Sequence, residues 1–308
     1  MQNSIYQILS GEFKANQFIR IGNNTNINTY VGKDDDGRFA FDFRGKFKHA
    51  RTKSSEVISV IHLECEGETF LRFSLINPAL LEYFCTFCED LLTSTAVICD
   101  DETAYQTLRT RYYSWKELFR PNHGLLNEME IMGLIGELLF LRDDLIPTIG
   151  ADAALDSWTG SEKTHKDFSF ENEWTEVKTI STGKESVRIS SIEQLDGPDD
   201  GYLVVYSLER MSPSYNGIKL NILVKEILSS LKAPHSKQTF LSKLSLSDYD
   251  FSNEYDNYVY DLKTVVKYVV KGEEFPRLRR DFLPDAITKA QYEISLVDLE
   301  KFRILDRI

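Results

Sequence analysis

Long hydrophobic runs are absent from this sequence. No stretch of about 18 or more apolar residues occurs, so no transmembrane helix is expected. The first residues, MQNSIYQILSGEFK, have no basic segment before an apolar one, and we therefore expect no signal peptide. Without either signal, the expected location is the cytoplasm, and no membrane partner is expected.

Cysteine and histidine are scarce, with four cysteines and five histidines in 308 residues. Four cysteines without a secretory signal favour a reducing compartment. Cys85 and Cys88 form a CxxC pair in an apolar helical pattern, and no second ligand pair follows at the spacing of a zinc site. We therefore predict core thiols there. A glycine-rich phosphate loop is also missing, which argues against nucleotide hydrolysis.

Basic residues are fewer than acidic ones. The sequence has 36 lysines and arginines and 48 aspartates and glutamates, and the formal net charge is −12. Because phosphate contacts supply most non-specific affinity for DNA, bare DNA repels such a chain. Basic residues do cluster in RGKFKHARTK (44–53) and FPRLRR (275–280). Each cluster is a candidate DNA contact, and a solvated loop or strand edge is the alternative. The candidate DNA-contacting residues are Arg44, Lys46, Lys48, Arg277, Arg279 and Arg280.

The first 120 residues have the pattern of a separate domain. In RFAFDFRGKF (38–47), three phenylalanines alternate with other residues and share one face of a predicted strand. Two further strand patterns and then two helical patterns follow, and this order indicates an α+β domain. A junction is predicted at Asn122-His123-Gly124. Residues 1–120 are thus an accessory domain that contacts partners or DNA, and residues 121–308 form the second domain.

The segment KDFSFENEWTEVK (166–178) predicts a β-hairpin. Glu171-Asn172 is the predicted turn, since asparagine tolerates the positive φ that tight turns require. A two-residue turn there pairs Asp167 with Glu176, and directly opposed residues have Cβ atoms roughly 4.5–5.5 Å apart. A register slip of one residue would instead move Asp167 to the other face.

The hairpin has the composition of a metal site. Glu176 and Lys178 share one face of their strand because side chains alternate. Opposed carboxylates such as Asp167 and Glu176 repel each other, and a metal ion removes that cost. Mg²⁺ takes oxygen ligands and commonly uses one or two carboxylates. The hairpin can therefore hold a divalent cation and activate water against a phosphodiester, and an exposed hairpin with solvated charges is the alternative.

The stretch GLLNEMEIMGLIGELLFLRDDL (124–145) predicts a buried helix, because apolar residues occupy nearly every side over most of its length. Gly133 and Gly136 lower its helix propensity, so the close approach of another backbone is the predicted reason for them. Glu137 is the exception within this core. A buried carboxylate must be neutral, paired or metal-bound. Alternatively, Glu137 belongs to a narrow solvent-facing stripe with Glu130.

Taken together, GELLFL, WTG, KDF and EVK resemble the pattern of the PD-(D/E)XK nuclease superfamily, and in particular a prokaryotic family of PD-(D/E)XK proteins. The resemblance covers residues 124–208. It implies a restriction-endonuclease-like fold, with an α/β/α core around a mixed sheet. Lys166 stands where the name of the motif has proline, which leaves the entry to the strand less constrained.

The resemblance also implies a role for each site residue. Asp167 and Glu176 match the two acidic metal ligands. Lys178 matches the lysine that orients or activates water, or stabilises the developing phosphorane charge. Glu137 matches a helix glutamate that some members add to the metal shell, and the main-chain carbonyl of Val177 often serves as a further ligand in such sites. The implied cofactor is Mg²⁺, with Mn²⁺ as a substitute.

Downstream patterns complete the predicted core. RISSIEQL (188–195) predicts a short strand that runs into a helix capped by Ser190 or Ser191. The resemblance implies that such a helix contributes polar residues to the site or to contact with the DNA backbone, and Gln194 and Ser190 are the candidates. An ordinary exposed helix glutamine is the alternative for Gln194. GYLVVYSL (201–208) predicts a buried core strand, because it is a short and nearly continuous apolar run. Later predicted elements are an amphipathic helix at 219–232 and strands at 255–271 and 291–304, which extend the sheet or form a C-terminal β-rich appendage.

These patterns predict a Mg²⁺-dependent DNA endonuclease that hydrolyses phosphodiester bonds. The resemblance implies a setting in prokaryotic restriction or anti-phage gene clusters, beside ATPases or methyltransferases. Partner proteins of that kind are expected to bring so acidic a chain to DNA. The alternative is a catalytically inactive binding or scaffold subunit on the same fold. Cleavage of RNA and formation of a homo-oligomer are left open by the sequence.

Overall fold

The structure, a computed structural model, describes residues 4–22, 27–65, 67–118, 124–162, 165–197 and 200–304. The chain forms two compact units, one of residues 1–125 and 233–253 and the other of residues 126–232 and 254–308. The predicted boundary after residue 120 lies outside the described residues. The first unit also contains 233–253, which the sequence pattern had assigned to the second domain.

The helices in the described part of the chain are α1 (Ile5–Leu9), α2 (Leu81–Thr95), α3 (Asp101–Leu118), α4 (Glu128–Phe140), α5 (Ile146–Ile149), α6 (Ala151–Ser157), α7 (Leu220–Ser230) and α8 (Pro234–Leu246). The strands are β1 (Phe18–Ile21), β2 (Asn28–Lys33), β3 (Phe39–Gly45), β4 (Ile58–Cys65), β5 (Glu68–Leu75), β6 (Phe168–Ser169), β7 (Glu173–Ser181), β8 (Ser186–Ile189), β9 (Asp200–Met211), β10 (Val259–Val270) and β11 (Tyr292–Ser295). None of these helices has the length and apolar character needed to cross a bilayer.

The first unit contains a five-stranded antiparallel sheet in the order β1-β2-β3-β5-β4. Phe41 and Phe43 of β3 are completely buried, and so are Ala40 and Asp42 on the other face of the strand. Aromatic contacts join the sheet to its helices. The ring centroid of Phe73 in β5 lies 5.4 Å from that of Phe87 in α2 and 5.1 Å from that of Tyr112 in α3. Strands covered by helices in this way form an α+β unit.

The CxxC pair lies in the core of the first unit. Cys85 and Cys88 of α2 are both free thiols with buried side chains. Burial raises the pKa of the Cys88 thiol well above its ordinary value, which keeps it protonated and unreactive. These two residues are therefore the core thiols that the sequence predicts.

The second unit is built on a mixed four-stranded sheet in the order β10-β9-β7-β6. Strand β7 is parallel to β9 and antiparallel to β6, whereas β10 is antiparallel to β9. Strand β9 is the predicted apolar strand, and its Leu203, Val204 and Val205 are buried. Helix α4 lies against β7. This mixed sheet with a helix on it confirms the predicted restriction-endonuclease-like core.

A second, smaller sheet lies on the face of the mixed sheet that carries Trp174. Strand β8 pairs with β11 instead of joining the mixed sheet. Of the predicted strand at 291–304, Tyr292–Ser295 forms strand β11, and a 3₁₀-helix follows at Val297–Phe302. Trp174 and Leu203 form one buried cluster with residues of this layer, which are Val187, Ile189, Ile294 and Leu299. Of the two later predicted strands, β10 therefore extends the mixed sheet, and β11 pairs with β8 in the smaller one.

Helix α4 begins at Glu128, later than predicted, because the chain caps it there. Asn127 Oδ1 accepts hydrogen bonds from the N–H groups of Met129 and Glu130. The Glu130 carboxylate in turn accepts a hydrogen bond from the Asn127 N–H. This capping box satisfies amides that the first turn would otherwise leave unpaired. The other end of α4 continues directly into a π-helix at Leu141–Leu145.

Gly136 and Gly133 allow a direct test of how closely α4 lies against β7. A Cβ atom on Gly136 would overlap Thr179 Oγ1, whereas one on Gly133 would have no described atom within 4 Å. The contact at Gly136 is with side-chain atoms of Thr179 and Val177, and not with another backbone as predicted. At Gly133 the predicted close approach is wrong. We expect Gly136→Ala to lower the free energy of unfolding by about 1–3 kcal/mol through overpacking. Urea denaturation followed by circular dichroism measures this change.

Gly133→Ala is the matched control in the same helix. It should raise the free energy of unfolding by roughly 0.5–1 kcal/mol, because alanine has the higher helix propensity and its methyl group meets open space. Similar effects of the two substitutions would contradict the close contact at Gly136.

Candidate active site

The hairpin brings Asp167 beside strand β7. Ser169 of β6 pairs with Trp174 of β7, which is the predicted register. Asp167 Oδ2 accepts a hydrogen bond of 2.8 Å from the Val177 N–H. The main-chain oxygen of Asp167 accepts another of 2.8 Å from the Gly160 N–H. The position of Asp167 is thus fixed both by β7 and by the WTG segment.

Glu176 is the most deeply buried acid of this group. Its side chain has no exposed surface, and its Oε1 lies 2.7 Å from Lys178 Nζ. Its Oε2 is also buried and meets no hydrogen-bond donor among the residues that the structure describes. An unpaired buried carboxylate oxygen is costly. A further cation at this oxygen would therefore stabilise the site.

Glu137 reaches the same region from helix α4. Trp158 Nε1 donates a hydrogen bond of 2.7 Å to Glu137 Oε2. A Cβ atom on Gly160 would lie 3.0 Å from Asp167 Oδ1 and 3.2 Å from Glu137 Oε2. The two carboxylates therefore border the same small space, which the missing side chain of Gly160 keeps open.

Burial shifts all three acids toward their neutral forms, and the charge of Asp167 adds to the shifts of Glu137 and Glu176. Burial, and then the charge of Asp167, raise the pKa of Glu176 to about 8. Burial and the same charge raise the pKa of Glu137 well above its usual range, and burial raises the pKa of Asp167. Although burial alone would lower the pKa of Lys178, the charges of Glu176 and Asp167 raise it. The site thus contains three carboxyl groups and the ammonium of Lys178 close to them.

Gln194 contacts the lysine of this group. Its Oε1 accepts hydrogen bonds from Lys178 Nζ at 3.1 Å and from the Ser190 N–H at 2.8 Å. The predicted helix around it is a single 3₁₀ turn at Ile192–Gln194. Ser190 therefore contacts the site through its main-chain N–H, which binds Gln194. Val177 likewise contributes its N–H, and the metal-binding role of its carbonyl stays a prediction.

The arginines of FPRLRR contact their own chain. Arg277 Nη1 donates a hydrogen bond of 2.6 Å to Leu195 O, and Arg280 Nη2 lies 2.5 Å from Glu193 Oε1. Arg279 lies 3.7 and 3.8 Å from two aspartates. These contacts attach the C-terminal segment to the turn that carries Gln194. A direct contact of the three arginines with DNA stays a prediction.

The other basic cluster divides into two environments within the first unit. The Arg44 guanidinium lies 4.0 Å from the centre of the Tyr30 ring and pairs with the buried Asp42 at 3.2 Å. Arg44 is therefore engaged in its own sheet. Lys46 and Lys48, in contrast, have exposed side chains. They remain candidates for contact with a polyanion.

Two residues in contact with this group were not assigned roles from the sequence. Trp158 holds Glu137, and Lys166 Nζ lies 3.5 Å from the centre of the Trp174 ring. Burial lowers the pKa of Lys166 to about 8. The sequence held a signal for each residue. The indole N–H of a buried tryptophan such as Trp158 needs an acceptor. Lys166, in the place of the motif's proline, adds a cation beside Asp167.

The donor set fits a hard divalent cation. In the described part of the chain, no group of three or more His, Cys, Asp or Glu side chains is arranged to hold a metal ion. Mg²⁺ does not require three such ligands, because it commonly uses one or two carboxylates and keeps several waters. Carboxylate oxygens suit Mg²⁺ or Mn²⁺, and the buried Glu176 Oε2 is the atom that such an ion would satisfy.

A mixed sheet that presents two acids and a lysine beside a helix glutamate defines the PD-(D/E)XK nuclease-like class. The family model described as "Putative PD-(D/E)XK family member, (DUF4420)" matches residues 3–297, and the chain belongs to this family. The resemblance drawn from the sequence is thereby confirmed. No curated protein and no solved structure matches the chain.

Proposed function

We propose that this protein is a metal-dependent endonuclease that hydrolyses phosphodiester bonds in DNA. The observation that carries the proposal is the buried Glu176 Oε2, which meets no hydrogen-bond donor among the described residues, although a lysine lies on the same strand. Asp167 adds a second negative charge beside it. Buried acids that repel each other are costly unless a cation joins them. Membership of a nuclease-like family supports the same conclusion.

The site residues have two proposed roles: some would bind the metal ion, and Lys178 would assist the reaction. Asp167 and Glu176 would hold the ion, with Glu137 and the main-chain carbonyl of Val177 completing its shell. Lys178, fixed 2.7 Å from Glu176 Oε1, would orient the attacking water or stabilise negative charge on the phosphate. When bound, the ion lowers the pKa of water and neutralises phosphate charge. Mg²⁺ is the proposed ion, with Mn²⁺ as its substitute.

Delivery of DNA is proposed to depend on partner proteins. The formal net charge of −12 opposes binding of bare DNA. We propose that the protein acts in a prokaryotic restriction or anti-phage system, with an ATPase or methyltransferase encoded beside it supplying most contacts to the DNA backbone. The exposed Lys46 and Lys48 would add a local contact.

A catalytically inactive scaffold on the same fold is the second candidate. Two observations favour it. Lys178 already pairs with Glu176 Oε1, and within the described ranges no group of three metal-ligating side chains occurs. Such a subunit would keep the hairpin for packing and would bind partners without cleaving nucleic acid. Metal binding separates the two candidates.

Mn²⁺ titration and DNA cleavage, measured in the same samples together with the natural partners, test the proposal. We expect saturable Mn²⁺ binding and Mn²⁺-dependent cleavage of plasmid DNA, both lost in Asp167→Asn. Glu176 must release its proton to bind the ion, and its pKa is raised to about 8. The affinity for Mn²⁺ should therefore rise by at least tenfold per pH unit below about pH 8.

Asp200→Asn is the matched control for Asp167→Asn. Asp200 begins β9, the neighbour of β7, and pairs with Lys271 at 2.6 Å on the surface. Its replacement should change neither Mn²⁺ affinity nor cleavage. A protein that shows no saturable Mn²⁺ binding dependent on Asp167 and Glu176 would instead be the scaffold, and the nuclease proposal would be wrong.

A further inference from the structure

The turn that follows β8 carries the amide that meets Lys178. We call residues 193–196 the Gln194 turn. Gln194 Oε1 accepts hydrogen bonds from Lys178 Nζ and from the Ser190 N–H, at 3.1 and 2.8 Å. Lys178 Nζ also lies 2.7 Å from Glu176 Oε1. The position of the Gln194 turn therefore affects where the Lys178 ammonium is held relative to Glu176.

Lys166 binds the main chain of the Gln194 turn. Its Nζ donates hydrogen bonds of 2.9 Å to Gln194 O and 2.8 Å to Asp196 O. The same ammonium lies 3.5 Å from the centre of the Trp174 ring, a geometry that adds a cation–π attraction. Trp174 shares a face of β7 with Glu176, because side chains alternate along a strand. Lys166 therefore links the Gln194 turn to the face of β7 that carries the site.

Two arginines of the C-terminal segment bind other atoms of the Gln194 turn. Arg277 Nη1 donates to Leu195 O at 2.6 Å, and the Arg280 N–H donates to Asp196 Oδ2 at 2.9 Å. The Arg280 guanidinium also pairs with Glu193 at 2.5 Å. Successive residues of the Gln194 turn are thus tied to cationic side chains, and only Lys166 among these comes from the segment next to Asp167.

We propose that Lys166 is a positioning residue: it fixes the main chain of the Gln194 turn against Trp174 and so holds Gln194 Oε1 where it orients the Lys178 ammonium. A lysine side chain carries about 2 kcal/mol of rotamer entropy, so an ammonium with one acceptor samples several orientations. A second, fixed acceptor narrows them. The effect of Lys166 on cleavage rests on the proposed function, whereas its effect on Lys178 does not.

The reaction of Lys178 with acetic anhydride, followed by mass spectrometry of the full chain, tests this inference. Lys166→Met keeps a long apolar stem and removes the ammonium donors. We expect Lys178 acetylation to become about fivefold faster, the factor that corresponds to one lost hydrogen bond. Gln194→Ala should give the same increase, and the double variant should give no more, because both act through one contact. Lys166→Arg, which retains donors, should restore most of the protection.

Lys267→Met is the matched control, because Lys267 Nζ lies 4.2 Å from the centre of the Tyr202 ring in the same sheet. It should leave Lys178 acetylation unchanged. An unchanged rate in a folded Lys166→Met protein would overturn the inference. If that variant fails to fold, Arg277→Gln, which removes the contact with Leu195 O, must give a smaller increase in the same direction. The absence of that increase would overturn the inference equally.

Cleavage assays separate this inference from the proposed function. If the protein is a nuclease, Lys166→Met should lower kcat and leave KM for DNA unchanged, because the effect lies in the orientation of Lys178 and not in substrate binding. If the protein does not cleave DNA while Lys178 acetylation still responds to Lys166→Met, the positioning role stands and the nuclease proposal falls.

Discussion

Substitution of Lys178 by methionine will lower the rate of DNA cleavage by about 10²–10³-fold, the loss typical when one preorganised stabilising group is removed from an active site. The ammonium that this change removes lies 2.7 Å from Glu176 Oε1. Mn²⁺ should still bind, because the loss of a neighbouring positive charge reduces the repulsion that the ion meets. Single-turnover cleavage at saturating Mn²⁺ measures the chemical step separately from metal binding.

Lys263→Met provides the control for this experiment. Lys263 Nζ forms an ion pair of the same length, 2.7 Å, with Glu209, but both side chains are well exposed. Its replacement should leave the cleavage rate unchanged, since the pair lies on the surface and is screened by solvent. Equal losses in the two variants would mean that Lys178 acts through the fold, and no loss in Lys178→Met would leave the lysine without a role in catalysis.

Removal of the Asp90 carboxylate will give a large loss of stability in the first unit. Asp90 Oδ2 accepts hydrogen bonds from Arg111 Nη2 at 2.6 Å and Trp115 Nε1 at 2.9 Å, and Lys237 Nζ lies 3.4 Å from Oδ1. Asp90, Arg111 and Lys237 are all buried. Asp90→Ala leaves two buried cations without this counter-charge, which costs about 3–5 kcal/mol. Thermal unfolding should show a midpoint lower by roughly 10 °C.

Asp36→Ala is the control in the same unit, because Asp36 pairs with Arg38 at 3.1 Å and its side chain is 67% exposed. A surface pair contributes about 1 kcal/mol or less, so the midpoint of thermal unfolding should change little.

The Asp90 variant also tests how residues 233–253 are attached to the rest of the first unit. Lys237 lies in α8, within residues 233–253, and the ion pair joins that segment to α2 and α3 of the first unit. If Asp90→Ala lowered the unfolding midpoint no more than Asp36→Ala does, the buried ion pair would not be what stabilises the contact of residues 233–253 with α2 and α3.

Local patterns predicted a large part of this fold. The register of the hairpin followed from a two-residue turn at Glu171-Asn172, and Ser169 pairs with Trp174 as that turn requires. The apolar run of β9 likewise predicted a buried strand, and the alternation in RFAFDFRGKF predicted strand β3. The candidate residues Asp167, Glu176 and Lys178 followed from the resemblance of the motif. Each of these predictions depends on residues only a few positions apart, where strand periodicity and turn chemistry act.

Other features depended on contacts that local pattern does not encode. Gly133 and Gly136 have the same propensity cost in α4, but only Gly136 faces Thr179 closely. Arg44 belongs to a basic cluster by sequence, yet its guanidinium lies over Tyr30 on a neighbouring strand. In both cases the residue's environment is set by the neighbouring strand. Composition and spacing along one segment do not contain that information.

The sequence by itself determined that the chain carries a two-acid, one-lysine hairpin in a protein with a formal net charge of −12. Only the tertiary structure decided how the lysine of that hairpin is held. Lys166 meets Gln194 across 28 residues of sequence, and Arg277 meets Leu195 across 82. Strand periodicity and turn chemistry act over neighbouring residues, so they determine the hairpin. Contacts between such distant residues form only when the separate elements fold against one another.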